Sequence, residues 1–219
     1  MTGRLLRGLD VSNYSDDDIR PLLAAEQPEH VVVRLSTESG EHTRIARAQI
    51  DQALAFGASV SGYIWAYFDL DPVQHTAHAL AVASGYPVDL AWFDCEGDAA
   101  PNLDDWLSRA VALAESRRWR CGIYTSFGWW RENGDSQGFK RLPLWLANYN
   151  GLPSLTWPDL DLPGGWSQLA GHQYHADPDR SVFDAVVIQP DPCAALKAAL
   201  RAELARPRLS RRRLRALVE

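Results

Sequence analysis

Eight short apolar runs divide this chain, and most of the segments between them carry apolar residues at helical spacing. The runs are RLLRGLDV, HVVVRLS, SVSGYIWAYF, VDLAWFD, RCGIYTS, LPLWLANY, AGHQY and FDAVVI. Between them, DDDIRPLLAAEQ, TRIARAQIDQALAFG, DPVQHTAHALAVASG and NLDDWLSRAVALAESRR show the three-and-four spacing of amphipathic helices. Strands that alternate with helices are joined by crossovers and lie parallel, and eight of them suffice to close a barrel. The regularity fades in the second half, where NGLPSLTWPDLDLPGG reads as loop and no long helix separates the last three runs. The fold class expected is α/β, a single TIM-like (β/α) barrel distorted by fewer helices in its second half. An open, doubly wound sheet would share the pattern, but no glycine-rich phosphate loop follows the first run.

At 219 residues and 46% hydrophobic content, the chain can bury one sizeable core. Composition changes near Pro190 and Pro192, so residues 1–190 are expected to form the barrel and residues 191–219 a C-terminal helix with a basic tail. Six arginines after residue 205 against Glu219 give that tail +5, which leaves −11 for residues 1–205 out of a net −6. An arginine-rich end can hold anionic polymers, but a solvated terminal helix is the simpler reading, and no nucleic-acid partner is expected. No run reaches the length of a bilayer crossing, and MTGRLLRGLD lacks a signal-peptide core. A monomer made in the cytoplasm without membrane insertion is therefore expected, and action outside the cell would need a separate route of release. Cys95, Cys121 and Cys193 are odd in number and lack ligand spacing, which favours free thiols. The six histidines form no H-E-x-x-H pattern and no G-x-S-x-G occurs, so neither a metal, a serine triad nor a cofactor is expected.

The stretch AWFDCEGD places charges where the chain otherwise reads as buried strand. Burying a lone carboxylate is costly, so a purpose is required. Strand alternation turns Asp94 and Glu96 to one face and Cys95 to the other. A D-x-E pair alone is common on solvated edges, but VDLAWFD is too apolar for one, and its carboxylates fall at the strand end where barrel enzymes carry their catalysis. Asp10 likewise ends the first run, and Asp184 lies beside the last. Each alone could be a helix cap or a loop charge. A closed barrel brings first and last strands together, so the four are expected to converge on one mouth. Converging carboxylates repel, and at least one should keep its proton near neutral pH, as a general acid requires. In glycosidases, carboxyl groups about 5 to 5.5 Å apart serve retention of configuration and wider pairs serve inversion. Sugar rings also stack on aromatic planes, and Tyr63, Tyr124, Trp145 and Tyr174 are the expected wall residues of such a cleft, although aromatic stripes also build cores. Trp129 and Trp130, in the loop after GIYTSFG, are expected either to rim the cleft or to pack beneath that loop.

In their order, GLDVSNYS, VVVRLST, SGYIWAYF, AWFDCEGD, GIYTSFGWW, PLWLANYN and HQY followed by FDAVV resemble glycoside hydrolase family 25, lysozymes that are N-acetylmuramidases. The resemblance spans roughly residues 6–189, and its most specific part is an aspartate ending the first run together with the D-x-E on the fourth. It implies a barrel with fewer helices than the full eightfold form. It implies Glu96 as the general acid and Asp94 as its assistant, either as nucleophile or by orienting the substrate's own N-acetyl group; both routes retain configuration. Asp10 and Asp184 would tune proton affinities or bind sugar hydroxyls. The implied substrate is the β-1,4 bond between N-acetylmuramic acid and N-acetylglucosamine in peptidoglycan strands, cleaved without metal or cofactor. The lack of a signal-peptide core fits a phage endolysin released to the wall by a separate permeabilising protein. Departures from the family pattern are Asn13 and Tyr14 in place of a histidine and its aromatic neighbour, Ile64 within the third run, and His172 where tryptophan usually precedes Gln173. They spare the carboxylates and bear on substrate preference. They also keep open a wall- or carbohydrate-binding module that has lost catalysis, or an endoglycosidase for chitin or another N-acetylated glycan.

Overall fold

The computed structural model describes residues 4–36 and 40–188. Eight strands close a barrel in sequence order: β1 (Leu5–Val11), β2 (His30–Arg34), β3 (Ser59–Trp65), β4 (Leu90–Cys95), β5 (Arg120–Ser126), β6 (Leu144–Ala147), β7 (Gly171–Ala176) and β8 (Asp179–Asp184). Each of β1 to β7 pairs in parallel with the next, whereas β8 runs antiparallel to both β7 and β1. Helices α1 (Arg20–Glu26), α2 (Gly40–Phe56), α3 (Pro72–Val82) and α4 (Leu103–Ser116) fill the first four crossovers. Later connections carry only the short α5 (Phe127–Glu132) and a 3-10 turn at Pro163–Gly165. The α/β barrel with a reduced second half is thus the observed architecture. The expected C-terminal helix, the basic tail and Cys193 lie outside the described residues. No helix among the described residues is long and apolar enough to cross a membrane.

Strand alternation divides the core in two. Outward side chains such as Val31, Val33, Ile64, Phe93 and Leu146 pack beneath the helices. Helix α4 answers them with Leu103, Trp106, Leu107, Ala110, Val111 and Ala114, one apolar stripe at helical spacing. Cys95 belongs to this outer layer, opposite Asp94, as alternation requires. Inward side chains plug the lower barrel: Trp92 and Trp145 lie 5.8 Å apart between ring centroids, with Phe183 at 6.0 and 5.2 Å from them. The plug fits because three strands offer no side chain there, β5 at Gly122, where a Cβ would run into the Trp92 ring, and β1 and β7 likewise. A Cβ on Gly8 would stand 2.5 Å from the Phe183 ring, and one on Gly171 2.6 Å from Phe183 and 2.8 Å from Trp145. The open interior therefore lies above the plug, at the C-terminal ends of the parallel strands.

The last apolar run is corrected by the structure. FDAVVI is not a strand throughout: Phe183 and Asp184 end β8, and residues 185–188 form the short helix α6 (Ala185–Ile188). The strand begins earlier, at Asp179, because a tight turn at Asp177 and Pro178 joins β7 to β8 as a hairpin where a crossover was expected.

Candidate active site

Asp10, Asp94 and Glu96 meet at the barrel mouth, because their strands are parallel and each carboxylate lies within one residue of its strand's C-terminal end. Together with Asp179 they line a cleft of about 130 Å³. Its walls are Tyr63, Tyr124 and Trp145, as expected, with Tyr149 and Gln173 beside them. The three expected wall residues are almost wholly buried, so they form the floor and sides of the cleft, while Tyr149 is 58% exposed and forms its rim.

Two expected site residues lie elsewhere. Asp184 pairs with Leu5 at the start of β1, the opposite end from Asp10, because β8 runs against the other strands. Its carboxylate accepts the Val186 main-chain N–H at 2.8 Å and so starts α6. The reversal brings the first residue of β8, Asp179, to the mouth in its place. Tyr174 shares the outer face of β7 with His172, their rings 6.2 Å apart, because Gln173 between them is the residue that points inward. Trp130 is a packing residue, edge-on to Trp166 at 5.0 Å. Trp129 stacks on Phe68 and donates its indole N–H toward the carbonyls of Gly97 and Asp98, at 3.1 and 3.3 Å, which braces the loop that follows Glu96.

Sequence reasoning missed Asp179, Gln173, Tyr149 and Arg34 as site residues. Gln173 is a hub: it donates to Asp10 Oδ2 at 2.9 Å and accepts the hydroxyls of Tyr124 at 2.6 Å and Tyr149 at 3.1 Å. Arg34 ends β2 and is buried, with its Nε on the Ser36 carbonyl at 3.1 Å, a terminal nitrogen on the Tyr67 hydroxyl at 3.0 Å, and its guanidinium 5.1 Å from the Trp65 ring centre. The signal for Arg34 was the same as for Asp94, a charge inside an apolar run. Asp179 was signalled only by the turn sequence Asp177-Pro178-Asp179.

Burial and mutual repulsion set the proton affinities. Burial pushes Asp10 well above the usual carboxylate range, and the charges of Asp179 and Glu96 push the same way. Asp94 is raised by burial and by Glu96, with Arg34 opposing. One oxygen of Asp94, Oδ1, is buried without a hydrogen-bond partner. Glu96 is raised by burial and by Asp179, again against Arg34. Asp179 is lifted to about 6, by burial and by the neighbouring Asp177. The cluster therefore holds protons that isolated carboxyl groups would lose. Glu96 also lines a second, wider groove of about 550 Å³ with Tyr14, Arg34, Trp65, Tyr67 and Asp98. A carboxyl group with raised proton affinity thus stands where a narrow cleft opens into a broad one.

The sequence model of Glycosyl hydrolases family 25 matches residues 9–181. The curated protein named Probable GH family 25 lysozyme 4, from Dictyostelium discoideum, is 28% identical over 178 residues, covering 77% of this chain and 82% of its own length. A family GH25 lysozyme from Aspergillus fumigatus has a similar structure, with a TM-score of 0.66 at 19% identity over 90% of this chain and 99% of that one. The modular Cpl-1 endolysin complexed with a peptidoglycan analogue gives a TM-score of 0.62 at 18% identity, over 83% of this chain and 54% of the other.

Proposed function

The chain belongs to glycosyl hydrolases family 25, and from that premise we propose that it cleaves the β-1,4 bond between N-acetylmuramic acid and N-acetylglucosamine in peptidoglycan, with retention of configuration. The observation that carries this reading is the place of Glu96, shared by the narrow cleft and the wide groove and raised in proton affinity by burial and by Asp179. Glu96 gives its proton to the glycosidic oxygen as the bond from that oxygen to C1 breaks, and the aglycone leaves along the groove. Positive charge developing at C1 is met from the cleft, where Asp94 and Asp10 stand. The unpartnered Oδ1 of Asp94 supports the route in which it accepts the N–H of the substrate's acetamido group. The acetamido oxygen then bonds to C1 from the face opposite the leaving group. In the second step, ionised Glu96 takes a proton from water while the water oxygen bonds to C1 and the acetamido oxygen departs. Two displacements at C1 restore the original configuration.

The reading is supported by the peptidoglycan analogue bound by the structurally similar endolysin, and by the buried aromatic walls of the cleft. Mass analysis of fragments released from purified sacculi tests it. New reducing ends on muramic acid are expected, and reducing ends on glucosamine, or no products from several wall types, would reject the bond assigned. Glu96→Gln cannot donate a proton and should lower kcat by about 10²- to 10⁴-fold without lowering the unfolding midpoint.

A further inference from the structure

Both ring nitrogens of His172 face main-chain carbonyl oxygens. The side chain is fully buried on the outer face of β7, with Nδ1 2.7 Å from the Ser154 oxygen and Nε2 2.8 Å from the Asn148 oxygen. A carbonyl oxygen only accepts, and a neutral imidazole has a single N–H. A neutral ring would set a nitrogen lone pair against one carbonyl, whereas the doubly protonated ring satisfies both. Trp157 covers the ring at 4.6 Å between centroids and offers its π face to a cation. Tryptophan at this position would have one N–H and could serve only one of the two carbonyls, so the two-point contact requires the histidine.

We propose that His172 is a positioning residue for the cleft: as an imidazolium it clamps the segment from Asn148 to Ser154 onto β7. Asn148 directly precedes Tyr149, whose hydroxyl donates to Gln173, and Gln173 follows His172 and donates to Asp10. The clamp thus holds the rim tyrosine against the hub that supports a mouth carboxylate. Main-chain bonds from Asn148 to Gln173 at 3.0 Å and from Gly151 to Tyr174 at 3.1 Å secure the same segment at every pH, so loss of the second ring proton loosens it without releasing it. The surroundings leave the ring's own proton count in control. β6 and β8 bring Leu146 and Val182 into register with His172. Tyr174 is the titratable neighbour on β7. The acids of the loop, Asp159 and Asp161, are exposed, and Asp161 is paired with Arg131. Among the described residues, no ion pair includes His172.

The inference rests on the proposed function only for its kinetic consequence, so the first test uses no substrate. Long-range proton–nitrogen correlation spectra of ¹⁵N-labelled protein should show both His172 nitrogens protonated at mildly acidic pH. One proton should be lost as pH rises, with the amide signals of residues 148–154 moving in step. A singly protonated ring at every pH where the protein is folded would overturn the clamp. In the second test, kcat/KM of the wild type falls roughly tenfold across that same step, the scale of unpairing one buried carbonyl. His172→Trp, with one N–H at every pH, should lack the step while keeping the alkaline limb set by Glu96. Superimposable profiles would also overturn the clamp. Absence of turnover in both proteins would strike the proposed function and leave the ring's proton count to decide the clamp.

Discussion

Arg34 and Asp179 pull on Glu96 in opposite directions. A general acid works in its protonated form, so in the proposed mechanism the alkaline limb of kcat/KM follows the loss of the Glu96 proton in the free enzyme. Asp179 raises the affinity for that proton and Arg34 lowers it. Arg34→Gln should therefore move the limb to higher pH, and Asp179→Asn should move it to lower pH. The pH dependence of kcat/KM on soluble wall fragments measures both, and a shift of the two variants in the same direction would refute this account of Glu96. The limb belongs to the coupled cluster, so its displacement and not its absolute position carries the information. One of the opposed residues was legible in principle. A carboxylate inside VDLAWFD draws attention because its short side chain cannot leave the barrel, whereas an arginine inside HVVVRLS has a stem long enough to reach solvent from a buried position. The sequence pattern treats them alike until the strand's neighbours are known. Asp179 sits in a polar turn, where acids are ordinary.

The element that most changes the site is β8. Seven strands were legible because each is a short apolar run and most are bounded by helical patterns, and that reading placed Asp10, Asp94 and Glu96 together at the mouth. The eighth was read too late in the chain, from Phe183 instead of Asp179. Hydrophobic pattern gives the position of a strand better than its direction, and direction was decided by whether a crossover or a turn preceded it. A hairpin reverses the strand, exchanging Asp184 for Asp179 at the mouth. The exchange is testable by contrast. Asp184→Ala should keep turnover near the wild-type rate while losing about 0.5–2 kcal/mol of stability, because the 2.8 Å contact with the Val186 N–H that starts α6 is gone. Denaturant unfolding together with a wall-clearing assay reads both quantities, and a collapse of activity at full stability would return Asp184 to the chemistry. Helix α5 escaped pattern reading for another reason. Its six residues FGWWRE are too short for a period to show, and its start is marked by Ser126, which accepts the Trp129 N–H at 3.3 Å.

Across the whole barrel, two sets of buried titratable groups pull stability in opposite directions with pH. At the closed end, His30 lies between the hydroxyls of Ser59 and Ser61, at 2.9 and 2.8 Å, and burial, aided by Arg120, lowers its pKa to about 3. The unfolded chain protonates this histidine near pH 6.5, so the stability it lends is complete above about 6.5 and drains away as pH falls toward 3. At the open end the sign is reversed. Asp10 and Asp94 are raised above their unfolded values, so their contribution is complete below the unfolded carboxylate range and is lost as pH rises through their folded values. The closed end thus favours neutral pH and the mouth favours acid. In the proposed mechanism the mouth keeps acidic groups that would be cheaper to lose, because the reaction needs them. Asp94→Asn removes one such group with little change of shape, and its effect on stability has a definite pH dependence. At pH 7 the variant should melt at a higher temperature than the wild type, since folding must there bury an aspartate whose charged form burial and Glu96 disfavour. As pH falls, the raised proton affinity lets the wild-type Asp94 take up its own proton in the fold, so the two melting temperatures should draw together toward acid, while activity stays low in the variant throughout. Calorimetry of the two proteins across this range provides the measurement. A difference that widens toward acid would mean that Asp94 is stabilised as a carboxylate, and the cluster would then have no reason to hold a proton for catalysis.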